Sequence, residues 1–491
     1  MNWMPRVPRT RIRKGNDRPI NSSADYILYW MIACRRTKWN FALQRAIERA
    51  VELKKPLVVL EALRVGYKWA CKRFHRFILD GMVDNARSFA VAKTLYYPYV
   101  EPEPDADKGL LAELAQKACL LVTDDFPAFF IPRMISSVSQ QIPVYMEIVD
   151  SNGLLPINTA DREFTTAYSF RRFLQKALVP NLSEKPMADP LKKLALSGTA
   201  ILPREVQKKW PPASLSLLEG NRKSLAHLPI DHSVETVELR GGPGQAENIM
   251  HSFVKNRLSA YPENRNHPDE QGTSGLSPYL HFGHISPHQI FFEIAAREEW
   301  SMDDPAPKAT GSRTGWWGMS EPAEAFLDEL ITWRELGFNM CSRRQDYDRY
   351  ETLPDWALDT LARHETDSRA YHYTINQLES SETHDPLWNS TQRQLVLEGT
   401  IHNYLRMLWG KKILEWSSSP REALKILIQL NNKYALDGRD PNSYSGIFWV
   451  LGRYDRAWGP ERPVFGKVRY MSSKNTMRKI RVKEYIQKYS T

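Results

Sequence analysis

Three stretches toward the C-terminal end set spaced indoles beside a compact polar cluster. They are Thr383-His-Asp-Pro-Leu-Trp388-Asn, His402-Asn-Tyr-Leu-Arg-Met-Leu-Trp409-Gly-Lys-Lys-Ile-Leu-Glu-Trp416 and Asn431-Asn-Lys-Tyr-Ala-Leu-Asp437-Gly-Arg-Asp-Pro-Asn442. Each buried indole needs a partner for its N–H and each buried charge a counter-ion, so core packing alone does not account for this composition.

Trp409 and Trp416 stand seven residues apart, which at roughly 1.5 Å per residue is about 10.5 Å along a helix. That is long for one electron hop unless Trp388 lies between or beside them. On the same helix Asn403, Arg406, Met407 and Gly410 share a stripe, and an Arg there calls for a buried acid, for which Asp437 is the candidate. Glu329 and Trp333, at i and i+4, put a carboxyl and an indole on one helical face. The segment Gly272-Thr273-Ser274-Gly275-Leu276-Ser277-Pro278 places Ser277 as N-cap and Pro278 at the first helical position, an opening whose free N–H groups suit a diphosphate. Ser286-Pro287-His288 repeats that opening, so the pattern alone is not specific.

The elements that must position these residues divide in two. Between Ala24 and Asp150 apolar runs alternate with helical patterns: Tyr26 to Ile32, Asn40 to Leu53, Pro56 to Leu60, Phe74 to Phe89, Cys119 to Val122 and Pro143 to Val149. This predicts an α/β domain over 22–150 with a mostly parallel, doubly wound, Rossmann-like sheet. No glycine-rich phosphate loop follows the first strand, and Gly241-Gly-Pro-Gly244 reads as a turn before a helix. Residues 151–235 mix Pro, Ser and Lys with short apolar pieces and read as an interdomain connector. Helical periodicity dominates 236–475, the all-α domain that holds the residues above.

At 491 residues the chain exceeds one ordinary core. No run approaches 18 apolar residues and the first residues lack the apolar segment of a secretory signal, so a soluble intracellular protein is expected. Cys34, Cys71, Cys119 and Cys341 form no Cys-x-x-Cys pair, and no metal site is expected. A net charge of +10 favours a polyanionic partner.

Together these segments, with Leu276-Ser-Pro-Tyr-Leu-His-Phe-Gly283 and Glu461-Arg-Pro-Val-Phe-Gly-Lys-Val-Arg-Tyr-Met471, resemble the photolyase/cryptochrome flavoproteins, most closely the class II cyclobutane pyrimidine dimer photolyases. The likeness extends over roughly 250 residues of the helical half. It implies a light-dependent carbon–carbon lyase that repairs DNA by electron transfer from photoexcited reduced FAD to a flipped-out dimer. By position, Tyr261, Thr273, Ser274, Leu276 and Ser277 would hold the ribityl and phosphate parts of FAD. Arg406 and Asp437 would flank the isoalloxazine as an ion pair, Asn431 would reach its N5, and Asn403 would join the cofactor-binding residues. Glu329 would hydrogen-bond the dimer carbonyl, Trp333 and Trp449 would pack against the extruded bases, and Met407 would fill the gap between flavin and lesion. Trp388, Trp409 and Trp416 resemble the chain that photoreduces the flavin, in an order the sequence leaves open. The partner implied is UV-damaged duplex DNA, met by a monomer in the cytoplasm or nucleoid, or in the nucleus of a eukaryote. An antenna in the N-terminal domain, a deazaflavin or a folate, belongs to the same analogy.

Three departures accompany the resemblance: Asn403 stands where many class II enzymes have a small residue, 337–350 keeps only part of the pattern, and the loop between Trp449 and Arg456 is slightly short. A cryptochrome-like sensor without repair activity, repair of (6-4) photoproducts and a cofactor-free nucleic-acid-binding protein are the other readings open to the sequence.

Overall fold

The computed structural model describes residues 5–192, 198–220 and 225–490. They form two compact units. The first comprises residues up to Thr159, Ala177–Met250 and Leu276–Glu293, and the second Ala160–Lys176, His251–Gly275 and the residues from Ile294 onward.

The first unit is built on a six-stranded sheet of order β1-β6-β5-β2-β3-β4. Its strands are β1 (Ile12–Lys14), β2 (Tyr26–Trp30), β3 (Leu57–Leu63), β4 (Leu95–Val100), β5 (Ala118–Asp124) and β6 (Tyr145–Val149). All neighbours pair in parallel except β1, which runs antiparallel to β6 with Ile12 opposite Val149. The central strands β2 and β5 are buried along their whole length, as continuous apolar runs covered on both faces must be. Helix Phe41–Leu53 packs Phe41, Leu43 and Ile47 against a core with Ile27, Tyr29, Val59 and Val122. Asn40 caps that helix, its side-chain oxygen accepting from the Leu43 N–H at 3.1 Å.

The missing phosphate loop has a structural counterpart. Asp124, at the carboxyl end of β5, accepts the N–H groups of Ile32, Ala33 and Cys34 at 2.9, 2.8 and 2.9 Å and the Tyr29 hydroxyl at 2.7 Å. The amides beyond β2, which could otherwise face an anion, are held by a carboxylate of the chain itself. The turn at Gly241–Gly244 opens helix Pro243–Asn256. Its N–H groups are committed to Asp80, His284 and Asp84, and a Cβ on Gly241 would stand 2.0 Å from the Phe77 carbonyl oxygen.

β1, β4 and the helices Leu110–Gln116 and Ile131–Gln141 lie outside the runs singled out in the sequence. β4 contains Pro98, which a strand tolerates at a sheet edge, and among the described residues β4 pairs only with β3. The stretch 151–235 also holds helices, at Ala167–Leu182, Arg204–Lys209 and Leu215–Leu218.

The second unit is helical. Three of its helices start alike: Asp385 before Pro386–Glu398, Ser419 before Pro420–Tyr434 and Asp440 before Pro441–Val450. In each, the capping side chain accepts a backbone N–H of the first turn, from Trp388 at 3.1 Å, Glu422 at 3.1 Å and Asn442 at 2.9 Å. Pro at the first helical position removes an N–H that would have no partner. Between them runs Asn403–Trp416, buried at Leu405 and over most of Leu408 to Trp416 and open at Asn403, Arg406 and Met407. An amphipathic helix facing bulk solvent would not be open along so narrow and polar a stripe.

Candidate active site

Arg406, on the open side of its helix, donates through Nη2 to both carboxylate oxygens of Asp437, at 2.8 and 3.0 Å. The side chains are 23% and 15% exposed, so the pair sits at a half-buried wall. Asp437 reaches that wall because Pro420–Tyr434 ends just before it and Gly438 turns back over the end of that helix; a Cβ on Gly438 would stand 2.8 Å from the Asn431 carbonyl oxygen. Asn431 is buried on that helix, its side-chain oxygen 3.5 Å from Arg406 Nη1. Both of its amide hydrogens are engaged, by Asn432 at 3.3 Å and Ser443 at 2.7 Å. A guanidinium fixed by a carboxylate thus borders this wall and can stabilise negative charge placed beside it.

Glu329 and Trp333 occupy a π-helical stretch, Asp328–Trp333, between the α-helices Glu321–Leu327 and Arg334–Arg343. Sequence spacing predicts an α-helical face; the inserted turn opens the helix by one residue, a feature often found at functional sites. The two side chains still share the half-exposed face, while Leu330, Ile331 and Thr332 are buried. Asp328 anchors the stretch through a bidentate pair with Arg171, at 2.7 and 3.0 Å. Arg265 Nη2 donates to Glu329 Oε1 at 2.7 Å, and its guanidinium lies 5.4 Å from the centre of the Tyr261 ring. Burial raises the Glu329 carboxyl above the ordinary range, Arg265 opposes the rise, and Asp328 adds to it. The net direction is upward, toward the neutral acid. Thr273 and Ser274 are half-exposed in the same unit, with the Thr273 carbonyl accepting from Arg257 at 2.8 Å.

Trp388 contacts both of the other indole residues, Trp416 through its ring and Trp409 through its backbone. Trp388 donates its N–H to the Trp409 carbonyl at 3.0 Å, and its ring centre lies 5.5 Å from that of Trp416 at an interplanar angle of 71°. Trp409 donates to Gln392 Oε1 at 2.9 Å, so both buried N–H groups are satisfied. Trp388 thereby meets the Trp416 ring and the backbone of Trp409. Beyond Trp416 the aromatic contacts continue to Tyr373 at 5.2 Å and His384 at 5.4 Å, and the Tyr373 hydroxyl meets His384 Nδ1 at 2.7 Å. Trp449 is half-exposed near the end of Pro441–Val450 and is flanked by Lys411 and Arg469, at 4.8 and 5.6 Å from its ring centre.

One expectation is corrected. The helix after Gly275 spans Ser277–His281; Leu276 is the N-cap, in a helical conformation and without a side-chain cap bond, so Ser277 is already the first helical residue and Pro278 the second. A hydroxyl caps only from an extended backbone, which Leu276 and Ser277 do not supply here. Leu276 and Ser277 belong to the first unit, whereas Tyr261, Thr273 and Ser274 belong to the second. Arg265, Lys411, Tyr373 and His384 were not singled out in sequence. Arg265 contacts a residue 64 positions away, whereas His384 and Lys411 lie inside the stretches that carry the indoles, with nothing in the sequence to set them apart from their neighbours.

A six-stranded, mostly parallel sheet unit and a helical unit define a fold shared with solved photolyases. A bacterial class III photolyase from Agrobacterium tumefaciens matches with a TM-score of 0.68 at 16% identity, over 95% of this chain and 86% of that one. An archaeal photolyase from Sulfolobus tokodaii, solved with two FAD molecules, matches with a TM-score of 0.64 at 13% identity, over 94% and 90%. No protein-family model matches the chain. In sequence it is similar to the deoxyribodipyrimidine photo-lyase of Methanothermobacter thermautotrophicus, 34% identical over 482 residues that cover 97% of each chain. The enzyme of the same name from Arabidopsis thaliana is 33% identical over 488 residues, 97% of this chain and 91% of that one, and that of Potorous tridactylus 31% identical over 493 residues, 99% and 85%. The chain belongs to the deoxyribodipyrimidine photo-lyases of the photolyase/cryptochrome family.

Proposed function

We propose that this chain is a light-dependent DNA-repair lyase that splits cyclobutane pyrimidine dimers, with the site organisation of the class II enzymes. The observation that carries the reading is the likeness to a deoxyribodipyrimidine photo-lyase over 97% of both chains. The family binds FAD, and the residues present suit it. The Arg406–Asp437 pair borders a half-buried wall, where its guanidinium can meet the negative charge of the reduced cofactor. Bound in its reduced form and illuminated, FAD supplies the electron that opens the dimer and takes it back.

In this reading Arg406, Asp437 and Asn431 set the charge around the isoalloxazine, and Tyr261, Thr273, Ser274, Leu276, Ser277 and Asn403 hold the cofactor. Glu329 in its neutral form donates a hydrogen bond to the dimer carbonyl and stabilises charge that develops there. Trp333 and Trp449 pack the extruded bases, and Met407 lies between cofactor and lesion. Trp388, Trp409 and Trp416 carry electrons inward to restore the reduced cofactor. Damaged duplex DNA is the partner of a monomer, in whichever compartment holds the genome; among the described residues no helix is long and apolar enough to cross a membrane. A deazaflavin or folate antenna is a further part of the reading for the first unit. What supports it is a half-exposed aromatic group in the loops after β3 and β5, with Trp69 and Phe129 at 5.9 Å and Tyr67 and Phe130 at 5.5 Å.

The test is dimer loss under blue light, against a dark control, for wild type, Glu329→Ala and Trp449→Ala. Loss with wild type, slowed in both variants, supports the reading. Dimers left intact by protein that retains reduced FAD contradict it.

A further inference from the structure

Lys411 is wholly buried, and among the described residues no carboxylate lies within ion-pair distance of it. Buried lysines are rare unless paired, because an ammonium taken from water must recover its solvation from somewhere. Here Nζ donates to the Val450 carbonyl at 2.5 Å and lies 4.8 Å from the centre of the Trp449 ring. Both partners belong to the last turn of Pro441–Val450, whose free carbonyls carry partial negative charge. That helix has no charged residue of its own. The neighbouring helix Pro420–Tyr434 meets Gly410 through Leu427. The charged groups that reach Lys411 are Asp455 and Arg469, from the segment after Val450; they pair with each other at 2.8 Å, so neither is a dedicated counter-ion.

We propose that Lys411 is a positioning residue for lesion recognition: its buried ammonium clamps the Trp449 indole and the helix end beneath it in the orientation that stacks on the extruded dimer. The inference rests on the reading of Trp449 as a lesion-packing residue. Burial, partly offset by Asp455 and reinforced by Arg469, brings Lys411 down to about 7. The clamp is therefore charged in mildly acidic solution and loses its proton, and with it the cation–π attraction, as the pH rises through neutrality. Preference for dimer-containing over undamaged DNA falls in the same direction, by about tenfold for a desolvated cation–π contact.

The experiment measures, in the dark and with FAD-loaded protein, the affinity for one oligonucleotide with and without a thymine dimer from pH 6 to 8.5. The undamaged strand cancels general effects of pH on phosphate binding. Wild type is expected to lose about tenfold of its preference across this range, and Lys411→Met, similar in length but uncharged, to show the low alkaline preference at every pH. Lys411→Arg, charged throughout, is expected to hold the acid value. A wild-type preference that is flat with pH overturns the inference and needs no variant to fold. So does a Lys411→Met protein, with its flavin absorption intact, that keeps the wild-type profile, or one that lowers preference equally at all pH values while keeping the slope. Trp449→Ala separates the two levels: if it leaves the preference unchanged, the packing role of Trp449 fails; if it abolishes the preference while Lys411→Met does not, only the role of Lys411 fails.

Discussion

At Glu329, burial and Asp328 favour the neutral acid while the Arg265 guanidinium favours the anion, and burial prevails. Because the carboxyl is raised above its ordinary value, a step that uses the neutral acid is at full strength below that raised value and declines as the pH climbs through it. Glu329→Gln, which keeps a donor but cannot ionise, should flatten this limb of the repair-rate profile, whereas Glu329→Ala should slow repair by roughly 10²-fold, as loss of one preorganised donor does. Arg265→Met should shift the wild-type limb to higher pH, since it removes the group that holds the carboxyl down. Asp437→Asn leaves Arg406 half-buried without its carboxylate; the loss should be about 1–3 kcal/mol of stability, read as a lower thermal midpoint and weaker flavin retention. These residues were unevenly legible. Arg406 and Asp437 lie in dense local motifs and could be paired by charge logic, Asn431 entered only through the family resemblance, and Arg265 could not be placed, because nothing near it in the sequence points to Glu329.

The helices that carry the site have starts written in the chain, although only the openings at Ser277 and Ser286 were read from it. Asp385-Pro386, Ser419-Pro420 and Asp440-Pro441 each combine a cap with a proline that needs no N–H partner. Asp385→Ala should cost about 1 kcal/mol through the lost cap, more if the Ser473 hydroxyl it also accepts is left unpaired. Trp388→Phe should stall photoreduction of oxidised enzyme, yet leave repair by chemically reduced enzyme near wild type, at a folding cost under ~3 kcal/mol. Equal loss of both activities would remove the indoles from any wiring role. Elements whose sequences disguise them were missed. β4 hides behind Pro98, β1 is three residues long with two of them basic, and the Glu329 turn reads as α-helix because no sequence pattern announces an inserted π turn. Ser277 shows the opposite error, in which a good capping residue sits one position inside its helix.

For the molecule as a whole, the net charge of +10 and the proposed DNA substrate make a common prediction. Affinity for undamaged DNA should fall linearly in a logarithmic plot against salt, because each phosphate contact releases counter-ions. The extra affinity conferred by a dimer should be less salt-sensitive, since stacking and hydrogen bonds release no counter-ions. The division into a sheet half and a helical half followed from hydrophobic period alone, while helices inside 151–235 did not, because Pro, Ser and Lys dilute their pattern. The most direct measurement of the central claim uses enzyme reduced beforehand, so that the indole chain is not also under test, and offers it DNA with a defined cyclobutane dimer or a (6-4) photoproduct. Light-dependent restoration of the cyclobutane dimer, with the (6-4) lesion untouched, is the expected result. Dimers that survive illumination by protein still holding reduced FAD would contradict it.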